Sequence, residues 1–317
     1  MRPGLWIMGA ALAVLLVPSA DAQRKRDKDR DRDRDRDDEE YVTRIDTTFA
    51  FDREGTVALS SMSGEIAVTS WNRAEVRIKA YSERGQILLE SSRSRIDMSM
   101  RARGGRVGET RYDVTVPAGA RVLTQSISGE ISLRGIKGES TAHTVSGDVD
   151  IADMGARLDV TTVSGSARIV GVAGKVEVDA VSGDLELERI TGDIDASTVS
   201  GEVTIDGARS KYVHASSHSG NVSFSGTIDP AGRYELETHS GNVQLMLPAT
   251  VAAMLDLETF SGEIESNDFQ MILQPGSQNG GRRRMAFKIG NGGARISAQT
   301  HSGNITIERG TGRATPE

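Results

Sequence analysis

The chain has 317 residues, 37% hydrophobic, 26% charged and 4% aromatic, with a formal net charge of −7. That length holds one large all-β domain or two ordinary ones, and the acidic balance excludes a general nucleic-acid binder, which needs a basic footprint. There is no cysteine, which excludes disulfides, thiolate nucleophiles and cysteine-based metal sites.

Residues 1–22 read as a secretory signal: Arg2 gives a positive start, 5–17 (LWIMGAALAVLLV) is a short apolar run, and Ala20 and Ala22 offer an A-x-A cleavage site. The run is shorter than the roughly 20 residues that a spanning helix needs. No later segment is a transmembrane candidate. The expected location is therefore exported, in the periplasm, at the cell surface or outside. Residues 23–40 (QRKRDKDRDRDRDRDDEE) interleave the two signs of charge and carry no apolar face at either secondary-structure period. They predict a disordered charged spacer.

Residues 41–127 predict an N-terminal cap and first irregular coils. SMSGEIAVTSW (61–71), AEVRIKAYSE and RYDVTVPAGARVLTQSISGEI read as looser strands that blunt the end of a stack.

From 128 to 310 the chain repeats. Ser-Gly occurs at Ser128, Ser146, Ser164, Ser182 and Ser200, in steps of 18, and again at Ser219, Ser240, Ser261 and Ser302. A fixed period of this kind is the sign of a solenoid. Val149 and Ile151 alternate with polar residues, as do Leu158 and Val160; Leu185 and Leu187 with Ile194 and Ala196 repeat the pattern. Each alternation predicts a strand with one buried face. A third apolar offset, Ile136, Met154, Val172 and Ile190, fills the second corner. The expected fold is all-β: a parallel β-helix or β-solenoid with coils of about 18 residues and an irregular β cap at the N-terminal end. In each Ser-Gly corner the glycine supplies unusual backbone angles and the serine hydroxyl is expected to satisfy a turn amide. Insertions at 227–233, 247–252 and 266–293 lie in turns, the last predicting a hairpin with 285–289 as one strand. The arginines 282–284 read as a solvated loop tip, and 311–317 as a tail.

The stretches SGEIAVTSWNRAEVRI, YDVTVPAGARV running into TQSISGEISLRGIKGE, and the Ser-Gly-acid coils resemble the bacterial "putative adhesin" family of parallel β-helix envelope domains. The likeness covers residues 41–309. It implies a non-catalytic, exported or envelope-associated domain and transfers no catalytic residues.

The residues themselves carry no G-x-S-x-G elbow, so no catalytic residue and no enzymatic activity are expected. The alternative is a carbohydrate-active enzyme on a β-helix scaffold. His218, His239 and His301 each precede Ser-Gly-Asn, and Phe260 holds the same offset. Sequence order makes Phe260 interrupt the histidine row, leaving no third ligand for a metal; no metal or cofactor is expected. Asp159, Glu177 and Asp195 share one outward offset, continued by Glu235 and Asp256 after His214, while Asp179, Glu237 and Glu258 share the next. Like charges on adjacent strands repel, and Arg157 and Lys175 relieve only the first coils. This acidic stripe is the candidate binding site, an electrostatic platform for a basic partner or for weak divalent-cation binding. The expected partner is an envelope or surface protein or polysaccharide.

Overall fold

The computed structural model describes residues 43–101, 108–266, 269, 272–273, 278–279 and 282–310. The expected signal, spacer and tail, and part of the 266–293 insertion, lie outside the described residues. Residues 41–317 form one compact unit. The fold is all-β and solenoid-like. Its described residues contain no helix long and apolar enough to cross a membrane.

The regular part is built from two strands per repeat. On one face Ser140–Ser146, Leu158–Ser164, Val176–Ser182 and Ile194–Ser200 pair in parallel, rung on rung, with Leu158 opposite Val176 and Val176 opposite Ile194. On the other Val149–Ala152, Ala167–Val170 and Leu185–Glu188 do the same, Ile169 lying opposite both Ile151 and Leu187. Alternation at period two turns one set of side chains inward. The resulting ladder, Leu158, Val160, Val176, Val178, Leu185 and Leu187 among others, is buried. The third apolar offset is buried as well: Ile136, Met154, Val172 and Ile190 close the second corner.

The Ser-Gly corner is set by the glycine. Gly183 has φ 153°, and a Cβ placed on it would lie 2.0 Å from the carbonyl oxygen of Gly165 on the neighbouring coil. The corners thus stack backbone on backbone with no room for a side chain. The serine does not play its expected part: among the nine repeat corners no serine hydroxyl accepts a turn amide, and the amide of Gly183 donates instead to the carbonyl of Ser200 at 2.9 Å. The residue after the glycine does that work instead. Asp148 Oδ1 accepts the amide of Ser166 (2.9 Å) and Asp184 Oδ1 that of Glu202 (2.8 Å). This explains why aspartate and asparagine share the position.

Beyond Leu247 the stacking order departs from chain order. The strand Val222–Ser240 pairs on its outer side with Ala294–Ser302, and Ala294–Ser302 pairs in turn with Ala253–Ser261. The last coil is therefore inserted between two earlier ones. Arg282–Ile289 then runs antiparallel along the other side of Ala253–Ser261 and covers it. The arginine segment 282–284 is part of this covering strand and not a loop tip.

The N-terminal end is covered in a comparable way. Thr56–Trp71 lies in parallel on Arg121–Arg134, and its outer side carries Arg95–Arg101 and Thr110–Pro117. Glu75–Ser82 pairs antiparallel with Thr110–Pro117 and carries Thr43–Ala50 antiparallel on its other side, and Gln86–Ser91 pairs antiparallel with Arg95–Arg101. Antiparallel strands at both ends withdraw the open edges that would recruit further copies.

Candidate functional site

The structure brings part of the acidic stripe together. Asp159, Glu177 and Asp195 lie on consecutive rungs, followed by His214 and Glu235. Ser297, on the inserted coil, then separates Glu235 from Asp256. The second row runs Asp179, Ser197, Ser216, Glu237, Gln299, Glu258. Cations relieve more of the stripe than the first coils alone. Arg157 reaches Glu177 at 2.8 Å and Lys175 does so at 3.1 Å, but Arg233 also bonds Glu235 (2.6 Å) and Arg284 bonds Asp256 (2.9 Å). The Arg284 contact follows from the covering strand, which sequence order hid.

The uncompensated part centres on Asp179. Partial burial, and then the charges of Asp195, Glu177 and Asp159, push its carboxyl above the usual carboxylate range. Among the described residues no group of three or more His, Asp or Glu side chains could hold a metal ion.

A different feature is more continuous, and the sequence reading passed over it. The residue before the Ser-Gly of each repeat corner points outward, and register stacks these residues in one row along the corner. Met62, Ile127, Val145, Val163, Val181 and Val199 come first, all exposed. The row continues as His218, His239, His301 and Phe260. Adjacent rings lie 4.8 Å apart and within 6° of parallel, and Phe260 stacks on His301. Phe260 thus ends the histidine row and does not interrupt it. Its correct order was legible in one signal: His-Ser-Gly-Asn occurs at 218–221, 239–242 and 301–304, whereas Phe260 is followed by Ser-Gly-Glu. The three like motifs lie on consecutive rungs; Asn221 Oδ1 accepts the amide of Asn242 and Asn242 Oδ1 that of Asn304, both at 2.9 Å, and Asn304 Oδ1 accepts that of Glu263 in the same way at 3.0 Å.

Beside the rings runs an open groove of about 500 Å³. One wall is the ring row and the other is Ser216, Glu237, Gln299 and Glu258. The floor is Thr198, Ser217, Thr238 and Thr300. The floor hydroxyls donate to glycine carbonyls, Thr238 to Gly220 at 2.8 Å and Thr300 to Gly241 at 2.9 Å. In the regular part the same inward row, Ser126, Thr144 and Thr162, has no hydrogen-bond partner for its hydroxyls.

The sequence matches the family described as Toastrack DUF4097 over residues 56–231 and 211–308. The chain belongs to that family. No curated protein matches it. Solved structures similar to it include a "putative adhesin" from Bacteroides fragilis, 13% identical, covering 84% of this chain and 97% of that one with a TM-score of 0.40. A "putative cell adhesion protein" from Clostridium sporogenes is 11% identical, covering 84% and 100%, with a TM-score of 0.22. A "putative adhesin" from Parabacteroides merdae is 11% identical, covering 86% and 96%, with a TM-score of 0.24.

Proposed function

We propose that this Toastrack chain is an exported, non-catalytic binding module of the cell envelope, its coils of about 18 residues closing into a parallel β-helix. In this reading residues 1–22 direct export, and 23–40 hold the folded unit away from its neighbours. The supporting observation is the outward corner row. Ten side chains sit on a stiff backbone stack at one strand spacing, about 4.8 Å, six of them exposed aliphatic residues. A run of exposed apolar side chains on this scale marks a contact surface. A lattice of identical spacings suits a partner that itself repeats, a surface polymer or a repetitive surface protein.

The test is sedimentation of the labelled protein with envelope fragments, beside cell fractionation. The expected result is co-sedimentation that falls at least tenfold when Val163, Val181 and Val199 are replaced together by serine, with the melting temperature unchanged. No co-sedimentation, or a wholly cytoplasmic protein, overturns the reading. So does release of soluble sugar from the fragments that a Glu237→Gln change abolishes, which would instead favour the carbohydrate-active alternative.

A further inference from the structure

Two outward rows run side by side along the first part of the Ser-Gly corner, and the acidic stripe includes neither. One is the aliphatic row, Met62, Ile127, Val145, Val163, Val181 and Val199, each between 37% and 52% exposed. The other lies just past the glycine: Glu65, Glu130, Asp148, Ser166, Asp184 and Glu202, stacked rung on rung. In each coil only the serine and glycine of the corner separate the two rows. A partner that covers one row therefore meets the other.

The carboxylate row carries more charge than the fold uses. Glu65 meets Arg111 at 3.1 Å, but among the described residues Glu130, Asp148, Asp184 and Glu202 pair with no cation. The arginines of the adjoining face turn elsewhere, Arg134 to Asp150 and Arg168 to Glu186, both at 2.8 Å. Asp148 and Asp184 each accept an amide of the next coil. Asn221 and Asn242 do the same with no charge at all, so the ladder needs the oxygen and not the anion. The side chains of Glu130 and Glu202 take no part in that ladder. Glu130 lies one rung from Asp148, and Asp184 one rung from Glu202. Like charges at that spacing cost stability, and a cation laid across them would recover it.

An exposed apolar row marks a contact surface, and the charge beside it selects the occupant. A second copy set face to face with its row antiparallel would bring carboxylate onto carboxylate. An anionic lipid surface would meet the same repulsion. Lysine or arginine set beside apolar side chains answers both rows at once. The six aliphatic rungs span about 24 Å at about 4.8 Å per rung, the length of a helix of about 16 residues.

We propose that this part of the corner docks a basic amphipathic segment of a partner protein. Its apolar side chains cover Val145, Val163, Val181 and Val199, and its lysines or arginines meet Glu130, Asp148, Asp184 and Glu202. The proposal rests on the binding-module reading and names the partner class for the aliphatic row.

The test is fluorescence-anisotropy titration with three labelled peptides of about 16 residues: an amphipathic leucine/lysine helix, its leucine/glutamate counterpart, and a serine/lysine peptide of the same charge. The leucine/lysine peptide should bind, and the other two should bind at least tenfold more weakly. Replacing Val163, Val181 and Val199 together by serine should weaken binding at least tenfold with the melting temperature retained. A second variant, Asp184→Asn with Glu202→Gln, should weaken it at least fivefold while keeping the amide acceptor at 184. Glu177→Gln with Asp195→Asn, on the acidic stripe, should leave it unchanged. Failure of the leucine/lysine peptide at high micromolar concentration overturns the proposal, as does equal binding of either other peptide. So does binding that the two corner variants leave unaltered, or that the stripe variant alone removes. Sedimentation with anionic vesicles that the triple serine variant abolishes would make lipid the occupant, and dimerisation that it abolishes would make a second copy the occupant; either result also overturns it. Should envelope sedimentation persist while the leucine/lysine peptide fails, the basic partner falls and the binding module stands. Should the peptide bind while sedimentation is absent, the envelope reading falls and the basic partner stands.

Discussion

Between residues 140 and 200 the coils follow one another in space as they do in the chain, whereas between 222 and 309 the last coil lies between two earlier ones. Both regions nevertheless use the same contacts. Glycine stacks on glycine in each: a Cβ on Gly183 would meet the Gly165 carbonyl oxygen at 2.0 Å, and one on Gly303 would meet that of Gly241 at 1.9 Å. Apolar rungs meet apolar rungs, Leu187 against Ile205 and Leu245 against Ile307. A rung needs a complementary neighbour, and nothing in its contacts asks that the neighbour be next in sequence. Chain order is therefore dispensable, and the C-terminal region uses that freedom to close its end. The chain passes beyond the inserted coil's position, lays an antiparallel strand on the exposed edge, and returns to fill the gap.

If the two regions are equivalent as stacks, a charge in either core should be equally damaging. Leu187→Asp and Leu245→Asp each place a carboxylate in a buried rung and should lower the melting temperature by more than about 10 °C or abolish folding. Glu186→Ser, one residue from Leu187 and facing outward, should be nearly silent. A mild effect of Leu245→Asp in thermal melts would break the comparison, showing the interleaved end to be loosely packed.

The glycine corners come next. Gly183→Val and Gly241→Val both meet a backbone carbonyl at about van der Waals overlap and both require a left-handed φ, so each should cost about 3–5 kcal/mol. Ser182→Ala, whose hydroxyl caps no turn amide, should cost less than about 0.5 kcal/mol. Urea titration measures all three, and equal losses for Ser182→Ala and Gly183→Val would mean that the serine has a task the hydrogen bonds do not reveal.

Much of the regular region was legible because its information is local. Alternation at period two and an 18-residue step identify the strands, the buried face and the corner glycine without knowledge of any distant contact. The acidic rungs Asp159, Glu177 and Asp195 were found by the same counting. Counting failed where adjacency stopped being sequential: it placed Asp256 beside Glu235 and Phe260 within the histidines, and it missed Arg284 as the partner of Asp256. Only the shared His-Ser-Gly-Asn motif marked the true order. The outward valines were visible as letters in every coil, but their exposure follows from which side of the corner the glycine turns.

The interleaving can be tested covalently, since the chain has no cysteine of its own. Residues 239 and 301 occupy adjacent rungs and 239 and 260 are two rungs apart. A His239→Cys, His301→Cys protein should form a disulfide and gain about 2–4 kcal/mol, whereas His239→Cys with Phe260→Cys should remain reduced. The opposite outcome, read by free-thiol titration, would restore chain order to the stack.

A smaller difference separates the inward hydroxyls. Thr238 donates to the Gly220 carbonyl, while Thr162 has no partner. Thr238→Val should cost about 1 kcal/mol and Thr162→Val should be neutral or stabilising. Equal changes in urea midpoint would erase this distinction between the two regions.

The smallest expected effect concerns Asp179, in the regular region, against Glu235, in the interleaved one. Burial and three neighbouring carboxylates raise the Asp179 pKa in the folded state, so folding favours its neutral form. Its contribution to stability is present below the unfolded carboxyl value, near 3.9, and is lost as pH rises through the folded value. At neutral pH the ionised group is a net burden, and Asp179→Asn should raise the melting temperature by about 1–2 °C. At pH 3 the wild-type side chain is already protonated and the variant should show no advantage. Glu235 bonds Arg233 at 2.6 Å, and Glu235→Gln should bring no gain at either pH. A variant difference at Asp179 that stays constant from pH 3 to pH 7 would mean that packing of the amide, and not relief of charge, is responsible. The stripe would then be a solvated surface in the regular region as it already is around Arg233.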